Sequence, residues 1–471
     1  MISASNYTPL RFRDIGDELL ITNEVGDFGL FPLDTVERFF AGTLPEKSVD
    51  ELKTLGVLID NADSWQLMSL ARRLKKQNAV AKKVHYLILI PTLRCNLTCS
   101  YCQVSRAPLA ASGFDWNDKR LDEFSAYLDT IEPDHLKVEF QGGEPTLRPD
   151  LISKIMEICL TKAKSADFVI CTNILDLSPE VLKLFDREDT VISTSLDGPL
   201  QAMSSNRTKD DNLSIRTQKN LEYLLKSYGP GKVSALPTIT EDNFSNFREL
   251  IDTYIELGFQ SIFLRPVNYQ GFARKKHAKM HEEVARWNNY YTSAIEYIKE
   301  RNRSGYFEEF YLASLARKIF GHEESGFVDL RSPVSFLSDY AVIDFNGKIY
   351  PSDEARMLSR IKHVDLAVGD LTDGVDSAKI LSLNSAGVNQ VHEDCLHCVY
   401  MPFCGIDIVD DISRYGRIDL PKADTWFCNR HMFMFDFLFQ KVQSKQRDWL
   451  DLFLRWARRS TEPSNAYALF S

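Results

Sequence analysis

Three cysteines fall within eight residues in the run Pro91-Thr-Leu-Arg-Cys95-Asn-Leu-Thr-Cys99-Ser-Tyr101-Cys102, directly after an apolar stretch at 84–90. The spacing C-x3-C-x2-C lets three thiolates ligate three corners of a 4Fe-4S cube and leave the fourth iron open. An open iron can bind a substrate or cofactor, whereas a site closed by four cysteines stores or passes an electron. Tyr101, one residue before the third cysteine, suits the stacking of a purine beside the cluster. A zinc knuckle or a chance grouping is the other reading, and no fourth Cys or His follows at zinc-site spacing. Farther along, Cys395-Leu-His-Cys398-Val-Tyr-Met-Pro-Phe-Cys404 and then Cys428 give C-x2-C-x5-C-x23-C. Four such thiolates can close a second cube or a zinc site, and spacing alone does not decide between them. Cys159 and Cys171 sit in apolar contexts and read as buried core thiols.

The elements that must position these groups follow from pattern and composition. Nine cysteines, with no basic and then apolar leader at the Met1 end, point to thiols kept reduced in a cytoplasm. A length of 471 residues predicts two or three domains, and 44% apolar with 26% charged residues is a globular composition. No run approaches the roughly 18 apolar residues of a membrane span. Fifty-six basic against 66 acidic residues, a net charge of −10, argue against nucleic acid as the main partner. Strand patterns at 84–91, 136–140, 168–172, 191–196, 233–238 and 262–266 alternate with helical patterns at 117–130, 150–163, 178–186, 216–228 and 244–257. That alternation predicts an α/β fold with a parallel sheet, since parallel neighbours need helical crossovers. Binding chemistry is then expected at the carboxyl end of the sheet, where the cysteine loop follows the first strand.

Residues 1–82 read as a small α+β module, with strand runs at 18–22 and 26–31 and helices near 34–40, 49–55 and 65–74. It is similar in outline to the winged-helix peptide-recognition modules of peptide-modifying enzymes; a cap packed on the barrel is the equal alternative. The basic stretch from Arg72 to Lys83 reads as a solvated helix face and linker, or as a surface that steers an acidic leader peptide. Domain limits are placed at 83–275 for the barrel, 276–332 for a helical bridge and 333–440 for the region of the second cysteine group. An amphipathic helix opens the final segment, 441–471, and reads as core packing rather than a membrane helix.

After the second predicted strand comes Gln141-Gly142-Gly143-Glu144-Pro145, where two glycines let the backbone approach a ligand and a carboxylate can hold an ammonium. The fourth predicted strand ends Ser193-Thr-Ser195-Leu-Asp197-Gly198-Pro199, with Ser195 and Asp197 on one face and Arg207 in the loop beyond. Together with the cysteine loop, its aromatic residue and the preceding strand, these motifs resemble the radical S-adenosylmethionine (SAM) enzymes. The resemblance implies an incomplete (β/α)6 barrel and a SAM-binding 4Fe-4S cluster on Cys95, Cys99 and Cys102. It also implies that Gly142-Gly143-Glu144 grips the methionine amine, that Ser195 and Asp197 bind ribose hydroxyls and that Arg207 meets the carboxylate. Asn173, in Cys171-Thr-Asn-Ile174, stands at the family's Thr-Asn-Gly with isoleucine in place of the glycine; a turn-capping asparagine is the alternative. In such enzymes one electron splits SAM, and the 5′-deoxyadenosyl radical takes a hydrogen from an unreactive carbon.

In this company the second cysteine group resembles the SPASM domain of peptide-modifying radical SAM enzymes. A complete domain of that kind carries further cysteines and a second auxiliary cluster. Here Ser352, in Gly347-Lys-Ile-Tyr-Pro-Ser352-Asp353, and Ile408 stand where cysteines are usual. The resemblance implies one auxiliary 4Fe-4S cluster, on Cys395, Cys398, Cys404 and Cys428. Asp353 follows the substituted position, where related sulfatase-maturing enzymes keep an acid as base; a solvated turn aspartate is the other reading. His392 and His397 flank the cysteines and read as groups that support a ligand or as surface residues. Length, the N-terminal module, Cys102-Gln-Val-Ser-Arg106 and the reduced SPASM region look most like the maturase of the His-Xaa-Ser peptide system. That implies a ribosomally made precursor peptide or small protein as substrate and a crosslink or other carbon-centred oxidation. It also implies a paired second radical SAM enzyme and an electron donor such as a flavodoxin or ferredoxin. Two other readings stay open: a sulfatase-type maturase oxidising Ser or Cys, and a non-catalytic iron-sulfur partner that binds peptide. Intact Gly142-Gly143-Glu144 and Tyr101 argue against the second.

Overall fold

The strand Tyr86–Thr92 is apolar along nearly its whole length because it is covered on both faces. In the computed structural model, which describes residues 7–59, 65–77, 79, 83–276, 284–321 and 328–459, it is the fifth of nine strands in one sheet. On one side follow His135–Gly142, Ser165–Cys171, Thr190–Ser195 and Val233–Leu236, all parallel. The helices Asp118–Ile131, Pro149–Lys162, Pro179–Phe185 and Asp211–Tyr228 make the crossovers. Their starts are encoded locally: Asn117, Ser178 and Asp210 accept hydrogen bonds from backbone N–H groups of the first turn. The flanking strands alternate. Leu136, Val138 and Phe140 are buried beneath the helices, while Glu139 and Gln141, of opposite parity, face a cavity on the other side.

The sixth predicted strand does not join this sheet. Only Ser261–Ile262 is extended, and it pairs with Glu308–Glu309. The chain beyond it reaches the barrel through a single bridge between Ile239 and Pro266. Its backbone is satisfied elsewhere, since the Glu309 carboxylate accepts from Leu264 N at 3.1 Å. A sixth parallel position is filled instead by Tyr340–Ile343, on the opposite side of Tyr86–Thr92. The 333–440 region thus begins inside the barrel's sheet, which continues antiparallel through Lys348–Tyr350, Gly369–Asp370 and Gly374–Val375.

The N-terminal module is an antiparallel meander, Arg11–Ile15, Glu18–Thr22 and Phe28–Pro32, followed by helices Thr35–Ala41, Glu46–Thr54 and Trp65–Gln77. It has a small core of its own around Leu19, Ile21, Phe31, Phe39 and Leu52. It packs on the second cysteine region, and its Ile15 and Leu20 join the main core. Thr22 Oγ1 donates to Val399 O at 2.7 Å, and Phe28 meets Phe439 edge-on at 5.2 Å. Within the basic stretch, Arg73 is bound to both oxygens of Asp27; Lys82 and the tail from 460 lie outside the described residues. The amphipathic helix Arg447–Arg458 buries Trp449, Phe453 and Trp456, and Trp456 Nε1 donates to Phe307 O at 3.1 Å. Among the described residues, no helix is long and apolar enough to cross a membrane.

Candidate active site

A cavity of about 540 Å³ opens at the carboxyl ends of the parallel strands. Its lining brings together Cys95, Cys99, Tyr101, Cys102, Gly142, Gly143, Glu144, Asn173, Ser195, Arg207 and Asp353, from six separate stretches of sequence. Glu144 is 2% exposed. Its Oε1 accepts from Thr146 N and Oγ1 at 3.1 and 2.7 Å, and its Oε2 from Asn173 N at 2.7 Å. Burial raises its pKa, and none of these donors carries charge. Such a carboxylate fits an arriving ammonium.

The two glycines line the cavity and also have a packing role. A Cβ on Gly142 would strike Thr92 O, and one on Gly143 would strike the carbonyls of Leu93 and Arg94. They let the strand end pass against the start of the cysteine loop, where Gly143 N and Glu144 N donate to Thr92 O and Arg94 O. Asn173 ties the next strand to the same loop: its Nδ2 donates to Asn96 Oδ1 at 2.7 Å, and its Oδ1 accepts from Leu175 N. Ile174 takes φ +51°, the left-handed conformation that the family's glycine would favour.

Tyr101 is buried and its hydroxyl is committed. It donates to Asp197 Oδ2 at 2.5 Å and accepts from Arg207 Nη1 at 2.8 Å. Asp197, 1% exposed, does not line the cavity, and its Oδ1 accepts from Thr238 N. Both oxygens of Asp197 thus face Tyr101 and the neighbouring strand end, away from the cavity where the ribose contact is expected. Arg207 does line the cavity, and its buried Nε has no hydrogen-bond partner. That orphaned donor, opposite in sign to Glu144, fits a carboxylate. An amino-acid zwitterion such as the methionine end of SAM would satisfy both poles.

Burial pushes the Cys95 thiol up to about 12, with the Glu144 charge adding to the effect, and it raises Cys99 as well, against the pull of Arg207. A metal cluster must therefore displace protons from these thiols. Sequence reasoning missed the cavity floor. Cys171, expected in the core, lines the cavity and donates to Glu139 Oε1 at 3.2 Å. Glu139 also accepts from Tyr86 OH and from Gln141 Nε2. The parity of 139, 141 and 171 along their strands carries that signal.

Asp353 is not a solvated turn residue. It is buried in the first turn of Asp353–Arg360, lines the cavity and accepts from Arg356 Nε at 2.7 Å. Ser352 caps that helix, accepting from Ala355 N at 3.1 Å, and Ile408 is buried in a core cluster. Both positions that could have carried cysteines thus have structural work.

Cys395, Cys398, Cys404 and Cys428 line a second cavity, of about 400 Å³. Burial pushes the thiols of Cys395 and Cys428 up to about 12, and the neighbouring thiols add to it. Cys428 sits in the first turn of Trp426–Gln443, where the helix N-terminus favours a thiolate. Among the described residues, no group of three or more His, Cys, Asp or Glu converges on a point suited to one metal ion. His397 lines this cavity, while His392 Nε2 lies 3.0 Å from Ala386 O.

The Radical SAM superfamily model matches residues 89–254, which supply the cysteine loop, Glu144 and Arg207 of the first cavity. The chain is 26% identical over 210 residues to an uncharacterized protein of Methanocaldococcus jannaschii, covering 43% of this chain and 68% of that one. It is 26% identical over 242 residues to the mitochondrial GTP 3′,8-cyclase of Arabidopsis thaliana, covering 49% of this chain and 56% of the cyclase. It thus spans only part of each relative. The structure of native anSMEcpe with bound AdoMet superposes with a TM-score of 0.60 at 17% identity, over 76% of this chain and 98% of that one. Streptococcus suis SuiB bound to precursor peptide SuiA gives 0.51 at 16% identity, over 87% and 97%. These likenesses extend the shared fold beyond the matched region. With the cysteine loop and the two charged poles in one cavity, the chain carries a Radical SAM domain over residues 89–254, which supports a radical SAM enzyme.

Proposed function

We propose that this enzyme matures a ribosomally made peptide or small protein, of the His-Xaa-Ser repeat type, by crosslinking or another carbon-centred oxidation. The observation that carries the reading is the pairing of a cavity lined by Cys95, Cys99, Cys102, Glu144 and Arg207 with a second cavity lined by four thiols in one chain. Fold likeness to SuiB, whose structure holds a precursor peptide, and to anSMEcpe, whose structure holds the Cp18Cys peptide, supports a peptide as substrate. Four thiols lining one cavity, in a chain that also carries the first cysteine loop, favour an auxiliary 4Fe-4S cluster over zinc on ligand softness.

The SAM-bound cluster, when present, supplies a 5′-deoxyadenosyl radical. The chain supplies placement. Cys95, Cys99 and Cys102 would hold the cluster, Glu144 would take the methionine ammonium and Arg207 Nε its carboxylate, and Ser195 would offer its hydroxyl to the ribose. Tyr101 and Asp197 fix Arg207 in place. Asp353 has one oxygen, Oδ1, occupied by Arg356, and its carboxylate would serve as the base for the proton that the substrate radical gives up as its electron passes to the auxiliary cluster. Co-expression with a candidate repeat peptide, followed by mass spectrometry, tests the reading. A peptide that loses hydrogens in pairs supports it; an unchanged peptide alongside active SAM cleavage contradicts it.

A further inference from the structure

The ring of four thiols is not enclosed by its own region alone. Phe12 and Arg13, on the N-terminal strand Arg11–Ile15, line the same cavity. Three contacts hold the meander there. Arg11, 1% exposed, donates from Nε to the carbonyl of Leu396, the residue after Cys395, at 2.8 Å. Thr22 donates to the carbonyl of Val399, the residue after Cys398, at 2.7 Å. Arg13 donates from Nε and Nη2 to the two oxygens of Asp436 at 2.7 and 2.8 Å, and Asp436 also accepts from Tyr400 OH at 2.6 Å. The segment bearing two of the thiols is thus clamped through its own carbonyls by a module more than 370 residues earlier in the chain.

Charge follows the same geometry. Glu24 balances Arg11, and Asp436 balances Arg13 beside Cys398. The fields of both arginines favour the Cys398 thiolate, and that of Asp436 opposes it. An anionic cluster on these thiols would feel Arg13 and Asp436 as a matched pair, so removing either partner leaves one charge uncompensated in a half-buried site.

We propose that the N-terminal meander is a wall of the auxiliary cluster site, and that Arg13 with Asp436 is a positioning pair that sets the charge the cluster experiences. This rests on reading Cys395, Cys398, Cys404 and Cys428 as cluster ligands. The test uses the full chain with Cys95, Cys99 and Cys102 all replaced by Ala, reconstituted anaerobically with iron and sulfide. The parent should hold about four irons, and its midpoint potential is read by EPR during a redox titration. Arg13→Gln should move that potential to more negative values and Asp436→Asn to more positive ones, while Arg13→Lys stays near the parent. Opposite shifts separate an electrostatic role from simple damage, which would move both variants alike. Potentials that do not move in Arg13→Gln and Asp436→Asn overturn the proposal. A parent that gathers zinc or no iron removes the cluster reading itself, and the proposal with it.

Discussion

Burial raises the pKa of the Glu144 carboxyl, and every donor it meets is neutral. A cation arriving there therefore gains a charge-assisted hydrogen bond worth about 1.5–3 kcal/mol. Glu144→Gln should weaken SAM binding about 10- to 100-fold, read by calorimetry on reconstituted protein; an unchanged Kd contradicts the assignment. Ser352 makes the opposite kind of prediction. Because it caps a helix, Ser352→Ala should lower stability by about 1 kcal/mol and leave iron content untouched. A loss of iron would mean that Ser352 serves a cluster after all. Spacing made the cysteines and Gly-Gly-Glu legible in the sequence, since each is a local pattern. Asp197 and Cys171 were not, because the partners that define them, Tyr101 and Glu139, lie 96 and 32 residues away.

Among the elements, the helix Phe310–Phe320 starts at Glu309, which is buried and accepts from Leu312 N, Leu264 N and Tyr291 OH. Burial lifts its carboxyl from 4.5 to about 7. Below pH 4.5 both native and unfolded chains hold the proton, so nothing is lost there. Between 4.5 and about 7 the unfolded chain releases a proton that the native chain keeps, and stability falls with rising pH by about 1.4 kcal/mol per unit. Glu309→Gln cannot titrate. Whatever its absolute stability, its loss between pH 5 and pH 7.5 should be smaller than the native chain's by about 2 kcal/mol, measured by urea unfolding; parallel profiles contradict this. The same glutamate shows why one strand was misread. The run at 262–266 has the apolar pattern of a strand, yet its Leu264 N–H is captured by Glu309 from 45 residues away. Alternation identified the other five strands and their crossovers, because each depends on its own periodicity. Which strand would occupy the other side of Tyr86–Thr92 is a matter of long-range pairing with Tyr340–Ile343, and no local pattern states it.

At the scale of the whole molecule, the described residues of the N-terminal module pack on the region of the four thiols and share a core with the barrel. The sequence suggested an independent module or a cap on the barrel, and neither reading includes its contact with Leu396, Val399 and Asp436. Deleting residues 1–82 should therefore cost the auxiliary irons and spare the three-cysteine site, leaving about four irons in place of about eight. A truncated chain that keeps about eight irons contradicts the composite site. The most direct measurement is formation of 5′-deoxyadenosine from SAM by anaerobically reconstituted protein under dithionite. The native chain should form it and should lose all of it when Cys95, Cys99 and Cys102 are replaced together by Ala. A native chain that forms none, or a triple variant that still forms it, would contradict the assignment of radical chemistry to this cavity.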